Sequence, residues 1–242
     1  MAEFKLPTEI VELPSKGLIY PEDNPLSSGK IEMKYMTAKE EDILSNQAYI
    51  EKGIVIDKLL QSLIVSDINY NDLIIGDKNA IMVAARILGY GKNYSFKYDG
   101  EKVEIDLSSL KHKEIDENNF TRGENNFSFT LPATGTEVTF KILTHKDEQN
   151  ISREIEGLKK LSKTNSYTVS TRLKHMLTSV GGEAEPKTVR EFVDKYMLAQ
   201  DSRALRNHIQ TFQPDVDLSF FPPTEEDRKP IPISLDFFWP DI

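Results

Sequence analysis

The stretch LIIGDKNAIMVAARILGYG, residues 73–91, decides the fold, because it predicts the buried helix around which the first half of the chain is built. Apolar residues lie on nearly every side of this segment, which is typical of a helix that is covered all round. Asp77 stands at the expected start of the helix, and Gly89 and Gly91 at its expected end, so we predict that Asp77 caps it. The tetrad GDKN also resembles a shuffled guanine-recognition motif, but no other nucleotide-binding signature accompanies it.

Two further helices are predicted upstream, in MTAKEEDILSN and IVIDKLLQSLIV. Thr37 and Glu40 have the spacing of a capping box at the start of the first. Glu41 and Asp42 add acidic residues to its first turn, where the helix dipole favours them. Consecutive helix positions point in different directions, so this acidic cluster does not converge on one substrate. Residues 31–92 are therefore predicted as a helical subdomain.

After Asn93 the period of the apolar residues changes from that of a helix to that of a strand. The segments YSFKY, KVEIDL, FSFTLP and EVTFKIL alternate between apolar and polar residues and are bounded by Gly, Asn and Pro. They predict a small central antiparallel sheet over residues 93–143. Helical patterns return over residues 144–212, and their candidate helices lie near 145–162, 167–179, 188–199 and 202–212. The fold class predicted for the whole chain is α+β.

Both ends of the chain are rich in proline. Residues 1–30 predict an extended arm, which either lies across its own domain or reaches a neighbouring molecule. Residues 213–242 are too apolar for a disordered linker and too rich in proline for a helix, so they predict an ordered, extended tail. The tail closes with DFFWPDI, and its large aromatic residues dock either on their own chain or on a partner.

The composition of the chain argues against several classes of binding partner and of binding site. The chain carries 39 acidic against 30 basic residues, a net charge of -9, which argues against general affinity for nucleic acid or anionic membranes. It has no cysteine, which excludes disulfides and thiolate zinc sites. No signal-peptide pattern and no apolar stretch long enough to span a membrane is visible, so we expect a protein made and used in a cytoplasm.

Sequence motifs for enzymatic chemistry are missing. The 4 histidines are far apart in the chain and have no second histidine at metal-ligand spacing. Neither a phosphate-binding P-loop nor a nucleophile elbow occurs. We predict no catalytic, cofactor-binding or metal-binding residue, and hence a protein that is not an enzyme.

One local reversal of charge is a candidate contact surface. Between Ser152 and His175 the acidic residues are Glu154 and Glu156 alone, while the basic residues are more numerous. These bases are Arg153, Lys159, Lys160, Lys163, Arg172 and Lys174. The segment is either a solvated helix face or a docking patch for an acidic partner.

A set of phrases that run in order across nearly the whole chain resembles the baseplate hub proteins of T4-like contractile-tailed bacteriophages. The phrases are LPSKGLIYP, IEMKYMTAKEEDIL, KGIVIDKLLQSLI, LIIGDKNAIMVAARILGYG, FTLPATGTEVTFKILT, DSRALR, PDVD and PIPISLDFFWP. The resemblance implies a non-enzymatic structural or assembly protein that contacts other baseplate hub proteins and the tape-measure protein. Self-association is a further candidate.

The resemblance places such a protein in the virion tail baseplate, or in the host cytoplasm during assembly. An alternative function is that of a tail assembly chaperone, which binds the tape-measure protein and is absent from the mature virion. In either role the protein works through protein–protein contacts.

The chain departs from the family pattern at two places. Many relatives carry one C-x-x-C pair after the GYG strand and another before the closing phrase, which implies a zinc ribbon in those proteins. Here the corresponding places read YDGE, residues 98–101, and FPPT, residues 221–224. If the two places meet in relatives, the tail should still return to the sheet near residues 93–106. We therefore favour docking of Phe237, Phe238 and Trp239 on their own chain over docking on a partner.

Overall fold

The computed structural model describes residues 6–161, 166–222 and 227–238. Within these residues the fold is mixed α+β, with eight α-helices and several small antiparallel sheets, which confirms the predicted fold class. Buried apolar side chains from all parts of this sequence pack into one continuous core. The predicted contacts Lys163 and Trp239 lie outside the described residues.

The N-terminal segment lies across its own domain. Strand β1, Thr8–Glu12, pairs antiparallel with β2, Lys30–Lys34. The chain between them turns back onto the domain and buries apolar side chains, among them Ile19, Tyr20 and Leu26. The structure thus supports the first of the two alternatives for the arm, because these three side chains are used in the core of their own chain.

The first helical part contains four helices. These are α1, Ala38–Leu44; α2, Gln47–Glu51; α3, Val55–Leu63; and α4, Ile75–Tyr90. The predicted capping box is present at α1, where the Glu40 carboxylate accepts hydrogen bonds from the backbone N–H and the hydroxyl of Thr37, at 3.0 and 2.6 Å. The prediction that Asp77 caps α4 is wrong, because the helix begins two residues earlier and the Asp77 side chain bonds to the N-terminal segment instead.

The end of α4 is tied to the following strand by a buried arginine. Arg86 is 1% exposed and donates hydrogen bonds to the carbonyl oxygens of Gly91 and Asn93, at 2.8 and 3.1 Å. The helix itself runs through Gly89 and ends at Tyr90. It is followed by Gly91, whose φ of 82° lies in the region that favours glycine.

The predicted single central sheet is divided into separate sheets. Strands β3, Asn93–Tyr98, and β4, Glu101–Asp106, form a two-stranded hairpin. Strands β5, Phe127–Thr130, and β6, Glu137–Phe140, pair with each other, and β6 pairs also with β7, Leu177–Val180.

Strand β7 begins within the last residues of the segment 167–179, for which the sequence predicts a helix. Leu177 and Val180 are buried opposite Phe140 and Val138. Pairing with β6 therefore ends the preceding helix at Met176, an effect of tertiary contact that the local periodicity does not reveal.

The last third of the chain is helical and then extended. The helices are α5, His145–Leu161; α6, Thr168–Met176; α7, Pro186–Lys195; and α8, Ala199–Phe212. After α8 the chain runs back towards α4 and the β3–β4 hairpin, where β8, Ser219–Phe220, pairs with β9, Lys229–Pro230.

Candidate interaction surfaces

The tetrad GDKN at the start of α4 joins segments that are distant in sequence. Gly76 allows the backbone after α8 to approach, because a Cβ added there would lie 1.9 Å from the carbonyl oxygen of Pro214. Asn79 donates a hydrogen bond from its side-chain amide to Asp215 at 2.9 Å. We call the contact of Gly76 and Asn79 with Pro214 and Asp215 the polar junction.

Asp77 binds the N-terminal segment from a fully buried position. Its carboxylate accepts hydrogen bonds from the backbone N–H of Ser15 at 2.9 Å, the hydroxyl of Ser15 at 2.7 Å and the hydroxyl of Tyr20 at 2.6 Å. Burial raises the pKa of Asp77 to about 6, although these hydrogen bonds oppose the shift. The pKa of Tyr20 is raised well above its ordinary value by burial and by the neighbouring carboxylate. The Asp77 carboxylate thus takes its hydrogen-bond partners from its own chain.

Lys78 belongs to a cluster of ionisable side chains between α3, α4 and α5. It forms an ion pair with Asp57 at 2.5 Å, and its Nζ lies 3.5 Å from Nδ1 of His145. Tyr70 donates a hydrogen bond to Asp57 at 2.9 Å and packs its ring against the edge of His145. Burial lowers the pKa of His145, and Gln149 lies 2.9 Å from its Nε2. These side chains satisfy one another, so the cluster is a structural link between helices.

The aromatic tail returns to the β3–β4 hairpin, as the sequence predicts. Phe237 and Phe238 are 0% exposed. The ring centroids of Tyr94 and Phe237 lie 4.9 Å apart, and those of Phe96 and Phe220 lie 5.0 Å apart. We call these ring contacts the aromatic junction.

The sequence makes Phe237 and Phe238 candidate partner contacts, and this conformation corrects that assignment. Both side chains belong to the core of their own chain. The hydroxyl of Tyr94 also donates a hydrogen bond to the carbonyl oxygen of Pro232 in the tail, at 2.8 Å. The third candidate of the tail, Trp239, lies outside the described residues. An exposed aromatic of this region is Phe221, which is 65% exposed.

The basic stretch does not form one free cationic surface. The Arg172 guanidinium makes two hydrogen bonds to Glu148, at 2.8 and 2.6 Å. Lys174 is paired with Asp194 at 2.7 Å. Both bases are therefore neutralised within the chain, by acids whose proximity only the packing of α5, α6 and α7 reveals.

The remaining described bases of this stretch lie on α5. Arg153 donates to the side-chain oxygens of Asn150 and Gln149 on its own helix, each at 3.3 Å. Lys159 and Lys160 are exposed near the end of the helix. The surface that could meet an acidic partner is thus smaller than the sequence suggests.

Shallow clefts open on the surface. One, of ≈ 270 Å³, runs beside β1 and is lined largely by apolar residues of α4 and of residues 107–112. Another, of ≈ 260 Å³, is lined by Asn119, Asn126, Phe212 and His208, whose ring stacks on Phe129 at 4.7 Å. Burial lowers the pKa of His208. Neither of these clefts contains Asp77 or the Lys78 cluster.

No family model matches this chain, and neither a curated protein nor a solved structure matches it. Among the described residues no group of three or more His, Asp or Glu side chains is placed to hold a metal ion. Over the same residues no helix has both the length and the apolar character needed to cross a membrane.

Proposed function

We propose that this chain is a non-enzymatic structural or assembly protein of a phage tail baseplate hub. It acts through contacts with other hub proteins and the tape-measure protein. The observation that carries the proposal is that several phrases of the family resemblance, although distant in sequence, meet in space. LPSKGLIYP supplies Ser15 and Tyr20, the GDKN phrase supplies Asp77 and Asn79, and PDVD supplies Asp215.

Described residues at or beside the two places where the resemblance implies C-x-x-C pairs also lie close together. Tyr98, at the start of YDGE, has its ring centroid 5.4 Å from that of Phe220, which directly precedes FPPT. This neighbourhood is what a zinc ribbon shared by the two segments would require. Ring packing occupies the place in this chain, which supports descent of its tail from the family pattern.

The buried pair of Asp77 and Tyr20 supports a structural role for this part of the chain. Asp77 and Tyr20, whose pKa values are strongly shifted, are turned inwards and hydrogen-bonded to each other and to Ser15. Shifted pKa values mark catalytic sites when the groups line a cleft, whereas these two are buried in the join between the N-terminal segment and α4.

The test is quantitative mass spectrometry of purified virions from the phage that encodes this chain. We expect a fixed ratio of a few copies to the major tail proteins. Absence from virions together with capture on the tape-measure protein in infected-cell extracts would identify a chaperone instead. Absence from both would overturn the proposal.

A further inference from the structure

Strand β1 forms an open edge on the surface. Among the described residues it pairs with β2 and with no other strand. The far side of β2 is already occupied, because the backbone N–H of Val65 donates to Glu32 at 2.8 Å and the backbone N–H of Glu32 donates to the Ser66 hydroxyl. A further strand can therefore join this sheet only at β1. Open edges of this kind pair readily with another chain.

The outer face of β1 carries an isolated apolar side chain. Glu9 and Val11 lie opposite the buried residues Met33 and Ile31, so odd-numbered positions lie on the side of the sheet that faces the core, where Val11 is half-buried and Glu9 remains exposed. Ile10 lies opposite Glu32 on the other face and is 60% exposed. Burying the Ile10 side chain in an interface would remove from water apolar surface that a single copy leaves exposed.

The sequence TEIVE can pair with a second copy of itself. In a two-fold antiparallel pair, opposite residues share a face, so only odd positions meet odd positions and even positions meet even positions. A register centred on Ile10 places Ile10 opposite Ile10, Glu9 opposite Val11 and Thr8 opposite Glu12. All of β1 is then paired, and no two like charges lie opposite each other.

The other registers centred on a residue of β1 are less suitable. A register centred on Thr8 places Ile10 opposite Leu6, so it pairs most of β1 with residues outside the strand. A register centred on Glu9 or on Glu12 opposes two carboxylates at its centre, which is destabilising. A register centred on Val11 opposes Ile10 to Glu12 and brings Pro14 into the pairing, where it has no N–H to donate.

We infer that β1 is a self-association edge, through which two copies pair antiparallel with Ile10 opposite Ile10. The product is a continuous four-stranded sheet in the order β2–β1–β1–β2. The inference does not depend on the proposed hub function. Each copy carries a net charge of -9, so their repulsion makes the pairing stronger at higher ionic strength.

The first test measures the mass of the full chain in solution by analytical ultracentrifugation. We expect a concentration-dependent dimer of the wild-type chain and at least tenfold weaker association for both Ile10→Lys and Ile10→Glu. Mixing the two variants restores a dimer, because opposite charges then face each other. Val169→Lys is the control, since Val169 is also exposed, at 47%, but lies on α6.

A second test reads the register directly. The chain has no cysteine, so Ile10→Cys introduces a single thiol that meets its own copy and forms a disulfide-linked dimer under mild oxidation. Thr8→Cys and Glu12→Cys each remain unlinked alone but link when mixed. A monomeric wild type at about 100 μM, a dimer insensitive to the Ile10 variants, or linking in any other pattern would overturn the inference.

Discussion

The two junctions that hold the C-terminal segment are built on different physical principles. At the polar junction, the backbone at Pro214 approaches Gly76 within the space that a Cβ would fill, and Asn79 bonds to Asp215. At the aromatic junction, Phe237 is fully buried with its ring against that of Tyr94 in the hairpin, and the equally buried Phe238 packs against Phe237. The first depends on close backbone approach and directed hydrogen bonds, and the second on the apolar area removed from water.

Because of this difference, the two junctions contribute differently to the free energy of folding and respond differently to pH. Burial of aromatic area is largely independent of pH and yields more free energy per residue than a single hydrogen bond. Hydrogen bonds such as those of the polar junction add specificity, and those of the neighbouring Asp77 carboxylate to the N-terminal segment also couple stability to protonation. The aromatic junction should therefore carry most of the binding free energy of the tail, while the contacts of the GDKN tetrad determine its path.

The largest expected effect comes from removing an aromatic ring. Phe237→Ala should lower the free energy of unfolding by about 3–5 kcal/mol, because it deletes a fully buried ring and leaves a cavity. Urea denaturation measures the change. Phe221→Ala is the control and should change stability by about 1 kcal/mol or less, since Phe221 is 65% exposed and its ring contact is with the Arg228 guanidinium. Equal losses for the two variants would contradict the assignment of the aromatic junction.

The next effect concerns Asp77 and pH. Burial raises its pKa from 3.8 to about 6, so its contribution to stability is fully present below pH 3.8 and is lost as the pH rises through 6. Asp77→Asn cannot ionise, and the difference in unfolding free energy between wild type and variant should shift by about 2–3 kcal/mol over this window. Denaturation at pH 4, 5, 6 and 7 measures it.

Two outcomes would separate the Asp77 mechanism from others. A constant difference between wild type and Asp77→Asn across the range would show that the carboxylate does not titrate there. Phe237→Ala should keep the pH profile of the wild type, because no ionisable group is removed.

Gly76 tests close packing at the polar junction. Gly76→Ala should destabilise the chain by about 1–3 kcal/mol, because the added Cβ collides with the carbonyl of Pro214. Gly157→Ala is the matched control, since Gly157 lies inside α5 and a Cβ added there would meet nothing within 4 Å. It should stabilise by about 0.5–1 kcal/mol, as alanine does within helices. Opposite effects of the two glycine-to-alanine substitutions on stability, measured in parallel thermal melts, would confirm the close contact of Gly76 with Pro214.

The smallest expected effect is on the surface between α5 and α6. A double-mutant cycle on Arg172 and Glu148 should give a coupling energy of about 1 kcal/mol or less, because the Arg172 side chain is 41% exposed. The coupling should fall further in 1 M salt. A large coupling energy that salt does not reduce would contradict this prediction, because it would mean that the pair is shielded from solvent as the buried contacts of the GDKN tetrad are.

Much of the fold could be predicted from local patterns. The helices around α4, the capping box of Thr37 and Glu40, and the strands of the β3–β4 hairpin follow from periodicity and spacing, which act within a few residues. The return of the tail to the hairpin followed from the family resemblance and from the need to bury large aromatic residues. The helices, the capping box and the strands depend on information that lies within single segments, whereas the return of the tail needed the resemblance to relate two distant segments.

The candidate surfaces were predicted less well. The basic residues between Arg153 and Lys174 suggest a patch, whereas the structure pairs Arg172 with Glu148 and Lys174 with Asp194. No spacing rule relates these partners, since they come together only when α5, α6 and α7 pack.

The sequence by itself determined the α+β class, the buried central helix and the absence of thiol chemistry, because composition and periodicity record burial and local backbone preference. Only the tertiary structure decided that Asp77 binds Ser15 rather than capping its helix and that Leu177–Val180 is a strand. It also decided that Arg172 pairs with Glu148 and Lys174 with Asp194. Each of these outcomes depends on a partner far away in the chain. Local sequence does not record such partners, because hydrogen bonds and side-chain packing form with the residues that the fold brings close.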